Sequence, residues 1–341
     1  VLCMRLIRAG HWLFGVTVFY FACNALYIGS YLSNPYVGNL IETRTLFSYN
    51  AFYFLIAGLF LLQFFAGEKG VARAKFFRDI QDVLLVSCVV NSLYVLAGYF
   101  GGFGQLDSHG GISGFIDYES INGVAIAVLL PLVISRNLSW ISQVTLCLLV
   151  ISAIYFTGSS APVLAVAVVL FVYFLKFLGE KKFSLPTAIF VAFIATLVGY
   201  YLLGEIVEGK EIFNDTGRFA AWKVFMGAWV EELPVLWGSG PGTYAPFAVQ
   251  TQMNTGYGIS GTAGNFWIYL HNEWLQTLYE TGVIGLALTT SLFFSVGFKY
   301  YRKGDYQHLA GLCAYGAASL VVFPTRYFYG AVIGAYFLLR G

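Results

Sequence analysis

Charge is what this chain has least of: 11% of its 341 residues are Asp, Glu, Lys or Arg, against about 25% in an ordinary soluble domain. With 58% hydrophobic residues and a mean hydropathy of +0.73, that shortfall excludes a soluble globular protein. Cysteine is scarce and odd in number. Cys23, Cys88, Cys147 and Cys313 fall in apolar runs and Cys3 lies at the start, so buried thiols are expected and a disulfide framework is not. A Walker loop, an HExxH pair and a Cys/His cluster are all missing, which removes the usual signals for nucleotide and zinc chemistry. No cofactor and no nucleic-acid partner are expected. Histidine is rare too, with His11, His109, His271 and His308 the full set.

What the chain has in abundance is apolar length. Ten stretches approach the length that spans a bilayer, near 10–32, 45–67, 80–102, 120–136, 140–157, 160–178, 185–204, 273–298, 306–323 and 326–340. The first carries Arg5 and Arg8 ahead of a long aromatic run; it resembles a signal peptide but is too long, and reads as the first spanning helix. With the N-terminus inside, fourteen of the nineteen basic residues fall on inner segments, from Arg5 through Lys181 and Lys182 to Lys299, Arg302 and Lys303. Only Arg44, Lys210, Arg218, Lys223 and Arg326 stay outside. This positive-inside pattern puts both termini in the cytoplasm. An aromatic content of 18% suits many helix ends at lipid–water interfaces.

The expected fold is therefore an all-α polytopic membrane protein with about ten transmembrane helices. Residues 1–204 form the N-terminal membrane helices, 205–272 a long extracytoplasmic loop with short helices, and 273–341 the C-terminal helices, all one integrated membrane domain. A loop of that length between spans usually carries function. Within it, Asn214-Asp215-Thr216 are helix-capping types, and the following segment has a helical stripe of Arg218, Trp222 and Trp229. The stripe predicts a helix on the outer membrane surface, with its tryptophans among headgroups. Arg218 in the first turn, beside free backbone N–H groups, suits phosphate oxygens; snorkelling to headgroups is the plainer alternative. After Pro234, Gly238, Gly240 and Gly242 allow a tight path that either presents N–H groups to an anion or makes an ordinary turn.

The organising stretch is Leu270–Gly285. His271-Asn272 opens an apolar helix expected to run unbroken to about Phe298. On that helix Gly282 and Gly285 share the face of His271, and Glu273 and Glu280 point away. This places a titratable ring at the mouth of a membrane helix, above a glycine seam that a second helix could approach. A histidine there could accept a proton from a sugar hydroxyl. Glu280 lies deeper, where a carboxylate must pair or face a cavity, with Arg326 as an available partner. Asp117-Tyr118-Glu119 could hold a divalent cation, although acids at a helix start also suit the dipole, and no metal is expected.

Taken together these residues resemble the O-antigen ligase and polymerase superfamily. The ligase branch is marked by His-Asn, nine residues, then Gly-x-x-Gly; here these are His271-Asn272, the nine residues Glu273 to Thr281, and Gly282-Val-Ile-Gly285. Arg218, Trp222 and Pro234-Val-Leu-Trp-Gly238-Ser-Gly240-Pro-Gly242 are similar to the family's loop, with one extra residue before the first glycine. Asn122-Gly-Val-Ala125 through Pro131 is similar to its Asn-x-x-Ala helix. Ser159-Ser160-Ala161 departs from the family's Ser-Arg-Gly, leaving Arg326 or Arg44 as a substitute cation.

The resemblance implies a GT-C-like glycosyltransferase of the bacterial cytoplasmic membrane. Such an enzyme takes glycan from an undecaprenyl-pyrophosphate donor to a glycan or lipid A–core acceptor on the outer face, by metal-independent, inverting transfer. Arg218 and Arg326 would bind the pyrophosphate and His271 would be the base, with Asn272, Glu280, Gly238, Gly240, Gly242, Gly282 and Gly285 in support. A polymerase of the same superfamily is the near alternative. A polysaccharide or lipid flippase is the distant one, disfavoured by spans poor in ionisable residues and without repeats.

Overall fold

A computed structural model describes residues 70–102, 111–114, 116, 119–180, 218–232, 235–240, 244, 247, 248, 251, 252 and 270–341, together with 13, 16, 17, 19, 20 and 23. The expected spans 45–67 and 185–204 lie outside the described residues, as do His11, His109, Gly242 and the Asn214–Thr216 cap cluster. Eight helices are delimited among the described residues: α1 Gly70–Gly101, α2 Glu119–Ile134, α3 Trp140–Phe156, α4 Ser160–Glu180, α5 Arg218–Glu232, α6 Glu273–Lys303, α7 Tyr306–Ala318 and α8 Phe328–Arg340, with a 3₁₀ turn at Pro324–Arg326. No strand occurs among the described residues.

Among the described residues, three segments are long and apolar enough to cross a membrane: Ala74–Gly101, Ser160–Phe177 and Glu273–Lys303. The apolar helices α2, α3 and α8 are shorter. The surface of α1 shows what solvent it faces. Phe77, Leu84, Cys88 and Val95 are buried on one side, while Val83, Val86, Val90 and Leu93 are exposed on the other. A helix apolar both inward and outward has lipid as its outer neighbour. It also starts ten residues before the expected span, because the stretch Val71–Phe77 holds good helix formers and no Gly or Pro. Lys75 and Arg78 thus ride on the helix itself instead of a loop.

The described residues fall into two compact units, one drawn from Val1–Leu62, Asp215–Ser295 and Thr325–Ala331, the other from Gln63–Asn214, Val296–Pro324 and Val332–Gly341. In the second, α2 is the central helix: it packs against α1, α3, α4 and α7 and is buried nearly end to end. That position accounts for its lack of a polar face. Its one amide, Asn122, is fully buried and accepts from Asn91 Nδ2 at 2.8 Å, as an amide in an apolar interior must. Helix α3 is capped by Ser139, whose Oγ accepts from Ser142 N at 3.2 Å. It ends on Gly158 at φ +67, the left-handed residue common after a helix. The Ser159 hydroxyl donates to Ser120 Oγ at 2.8 Å.

The lower end of this unit carries a second polar chain. His308 is fully buried, with Nδ1 2.7 Å from Asp305 Oδ1 and Nε2 2.9 Å from the Tyr336 hydroxyl. Burial pushes the Asp305 carboxyl up, but the hydrogen bond and charge of His308 outweigh it and hold the carboxyl below its usual range. A carboxyl depressed in this way stabilises the fold fully above its unfolded pKa of about 3.9, and that contribution disappears as pH falls through the folded value. Asp305→Asn is accordingly expected to cost about 1–2 kcal/mol at neutral pH and to flatten the acid limb of a melting-temperature profile in detergent. Identical acid limbs for variant and parent would refute the linkage.

Candidate functional site

The first unit is organised by α5. Its apolar stripe turns inward: Ala221, Phe225 and Trp229 form a buried cluster with Tyr244, Ala248, Leu270 and Tyr279. Tyr244 meets Phe225 and Tyr279 edge-on, at centroid distances of 5.5 and 5.2 Å, the arrangement aromatic quadrupoles favour. Burial pushes the Tyr244 hydroxyl well above its usual pKa, and the charge of Glu280 adds to the effect. The expectation of headgroup tryptophans fails at Trp229, which is 4% exposed. Apolar aromatic stripes suit a protein interior and a membrane surface equally, and here the loop supplies the interior. Trp222 is half-buried and its indole N–H donates to Leu270 O at 2.6 Å.

That bond fastens α5 beside His271. Arg218 opens the same helix one turn before Trp222, about 6 Å along the axis. His271 is half-buried and has φ +50, the one non-glycine residue with positive φ among the described residues. Side chains other than Gly, Asn and Asp seldom adopt that conformation, which costs of order 1 kcal/mol or more. Asn272 then caps α6: its Oδ1 accepts from Leu275 N at 3.0 Å, and its carbonyl accepts from Gln276 N at 3.0 Å. The His-Asn pair is thus a strained corner followed by a cap.

The expectation of an unbroken helix is overturned at Gly282, where φ is +69 and ψ −174. In a continuous helix Tyr279 O and Glu280 O would receive the N–H groups of Val283 and Ile284. Instead the 235–240 loop is inserted into the ladder. Ser239 N donates to Tyr279 O at 3.2 Å and Gly240 N to Glu280 O at 2.7 Å, while Val283 N donates to Val235 O at 3.0 Å and Ile284 N to Leu236 O at 3.2 Å. The Tyr20 hydroxyl satisfies Thr281 O at 2.6 Å. The carbonyls of Tyr279, Glu280 and Thr281 and the amides of Val283 and Ile284 are thus all paired across the break.

The glycines are thereby explained. A Cβ on Gly238, itself at φ +73, would lie 2.5 Å from Glu280 O, and one on Gly282 2.6 Å from Gly238 N. Gly285 leaves room for the Thr281 side chain and for Tyr20, whose Cε1 would be 3.0 Å from an added Cβ. What approaches the seam is the 235–240 loop at Gly282 and the helical residue Tyr20 at Gly285. The alternative in which this loop offers N–H groups to an anion is also set aside for Ser239 and Gly240, whose amides point at helix carbonyls.

Away from the histidine, one face of α6 carries Glu273, Gln276 and Glu280, and Arg326 reaches both acids. Its Nε is 3.1 Å from Glu273 Oε1 and its Nη2 3.1 Å from Glu280 Oε2. Gln276 Nε2 donates to the other Glu280 oxygen at 3.1 Å. The pairing of Glu280 with Arg326 follows from the cost of burying a lone carboxylate; Glu273, expected on the same face as Glu280, proves to share that arginine. Tyr20 was missed, and nothing in its local sequence signals the contact. Glu119 is buried at the start of α2 and accepts from Ser120 Oγ at 3.3 Å; Asp117 and Tyr118 lie outside the described residues.

Comparison with known proteins reaches this region. Residues 145–290 match the Wzy_C family model, described as O-antigen ligase. The match runs from α3 into α6 and includes α5, the inserted loop, His271 and Gly282. No curated protein matches the chain. Over those residues this integral membrane protein carries a Wzy_C domain match, which supports the O-antigen ligase superfamily.

Proposed function

We propose that the protein transfers a glycan from undecaprenyl pyrophosphate to an acceptor hydroxyl at the outer face of the bacterial cytoplasmic membrane. His271 takes the proton of the acceptor hydroxyl. The freed oxygen attacks the anomeric carbon, the bond to the pyrophosphate oxygen breaks, and undecaprenyl pyrophosphate leaves with inversion at that carbon. No energy input is needed, because the glycosyl–pyrophosphate bond is already activated. Charge develops on the leaving pyrophosphate, so a fixed cation is the largest requirement. This reading gives that role to Arg218 and assigns no metal. Arg326, the second cation expected at the pyrophosphate, is already held by two carboxylates, so it is a poorer candidate for the donor.

The observation that carries the reading is the strained backbone of His271, one residue from the carbonyl that anchors α5. Strain at a polar residue persists where the surroundings hold it for use. Purified protein in vesicles, supplied with an undecaprenyl-pyrophosphate glycan and a lipid A–core acceptor, is expected to make glycosylated core. Product made only of longer lipid-linked glycan supports the polymerase of the same superfamily, which the Ser159-Ser160-Ala161 departure favours. No transfer to either acceptor refutes both.

A further inference from the structure

We propose that Glu273, Glu280 and Arg326 form a clamp that positions His271, an inference that rests on the catalytic reading of that histidine. The break at Gly282 cuts α6 so that only Glu273–Thr281 stands between the histidine and the inserted loop. A helix this short does not hold its own orientation. Its far end is tied by the loop amides, its near end by the Asn272 cap, and Tyr279 packs against Tyr244; the face of Glu273 and Glu280 needs a hold of its own.

Arg326 supplies it. Glu273 and Glu280 are two turns apart, about 10 Å along the axis, and a single guanidinium bridges them through different nitrogens at 3.1 Å each. The planar fork of arginine makes such a two-point contact where an ammonium would not. Gln276, between the two acids, orients Glu280 through its second oxygen. The side chains are 3%, 11% and 0% exposed for Arg326, Glu273 and Glu280. Water therefore does not weaken the contacts, and any rotation of the short helix would strand a buried charge. Glu273 is two residues from His271, so locking this face locks the strained corner and sets where the imidazole points. Arg326 is then a positioning residue that acts through His271, not a ligand of the donor pyrophosphate.

The test uses the full chain in vesicles and two readouts. Arg326→Lys is expected to lower kcat about 10–100-fold, with the donor KM changed less than twofold. In a second preparation His271→Cys carries a nitroxide spin label, and adding Arg326→Lys is expected to increase the label's mobility. A raised donor KM with kcat unchanged overturns the clamp, since Arg326 would then touch the donor. Unchanged kcat and unchanged mobility overturn it too. Should Arg326→Lys fail to accumulate, Glu280→Gln, which keeps the shape but weakens the bridge, is read against the same outcomes. A His271→Ala protein that still transfers glycan while the label loosens overturns the catalytic reading and leaves the clamp standing.

Discussion

His271→Ala is expected to lower glycan transfer by about 10²–10⁴-fold while the protein still accumulates in the membrane. The size follows from the acceptor: a sugar hydroxyl is a weak nucleophile, and a positioned base is what makes it competent. A companion variant separates chemistry from strain. His271→Gly removes the ring and also relieves the φ of +50, so it is expected to be more stable than the parent by about 1 kcal/mol and equally inactive. Arg218→Ala is expected to cost about 10²–10³-fold, seen at saturating donor because the lost interaction is with a leaving group that gains charge in the transition state. Single-turnover transfer from a fluorescent lipid-linked glycan measures all three. Normal surface glycan in cells making only these variants would remove the assigned roles, and a His271→Gly protein less stable than the parent would show that the corner is not strained.

The second large effect concerns folding. Gly282→Ala is expected to destabilise by about 4 kcal/mol or more. The backbone there, at φ +69 and ψ −174, is a region open almost only to glycine. An added Cβ would also fall on the Leu236 carbonyl and within 2.6 Å of Gly238 N. These are backbone atoms that cannot swing aside as a side-chain tip would. Gly238→Ala meets the same wall from the other side. A control is available on the same helix: at Gly297 the nearest atoms to a new Cβ are side-chain carbons of Leu309 and Leu312 at 3.7 Å, an ordinary contact. Gly297→Ala is expected to melt at or slightly above the parent temperature. Gly282→Ala accumulating and melting like the parent would mean that the helix is not broken there.

The glycines also show how far the sequence could be read. Their spacing marked a place of close approach, and Asn272 marked the helix start, because caps and turns are decided by neighbours a few residues away. The break itself was not legible. A glycine within an apolar helical pattern is usually tolerated, and it takes the 235–240 loop, some forty residues upstream, together with Tyr20 to make the interruption favourable. Trp229 was misplaced for a related reason: the amphipathic stripe was real, but what lies against it depends on Tyr244 and Tyr279, which the stripe does not encode. Arg326 was recognised as a partner for Glu280 from the cost of an unpaired acid, while its simultaneous hold on Glu273, fifty-three residues away, was not.

The inserted loop has a consequence for how the chain is made. Short-range rules would let the segment around Gly282 close its own ladder as soon as it leaves the ribosome, trading nothing with the loop synthesised before it. The mature joint gives up two such local bonds and gains four between stretches made at different times, with Tyr20, 261 residues from its partner, supplying a fifth. This corner is therefore finished late, after the stretch that carries Tyr20, the loop and the later helix have all reached the bilayer.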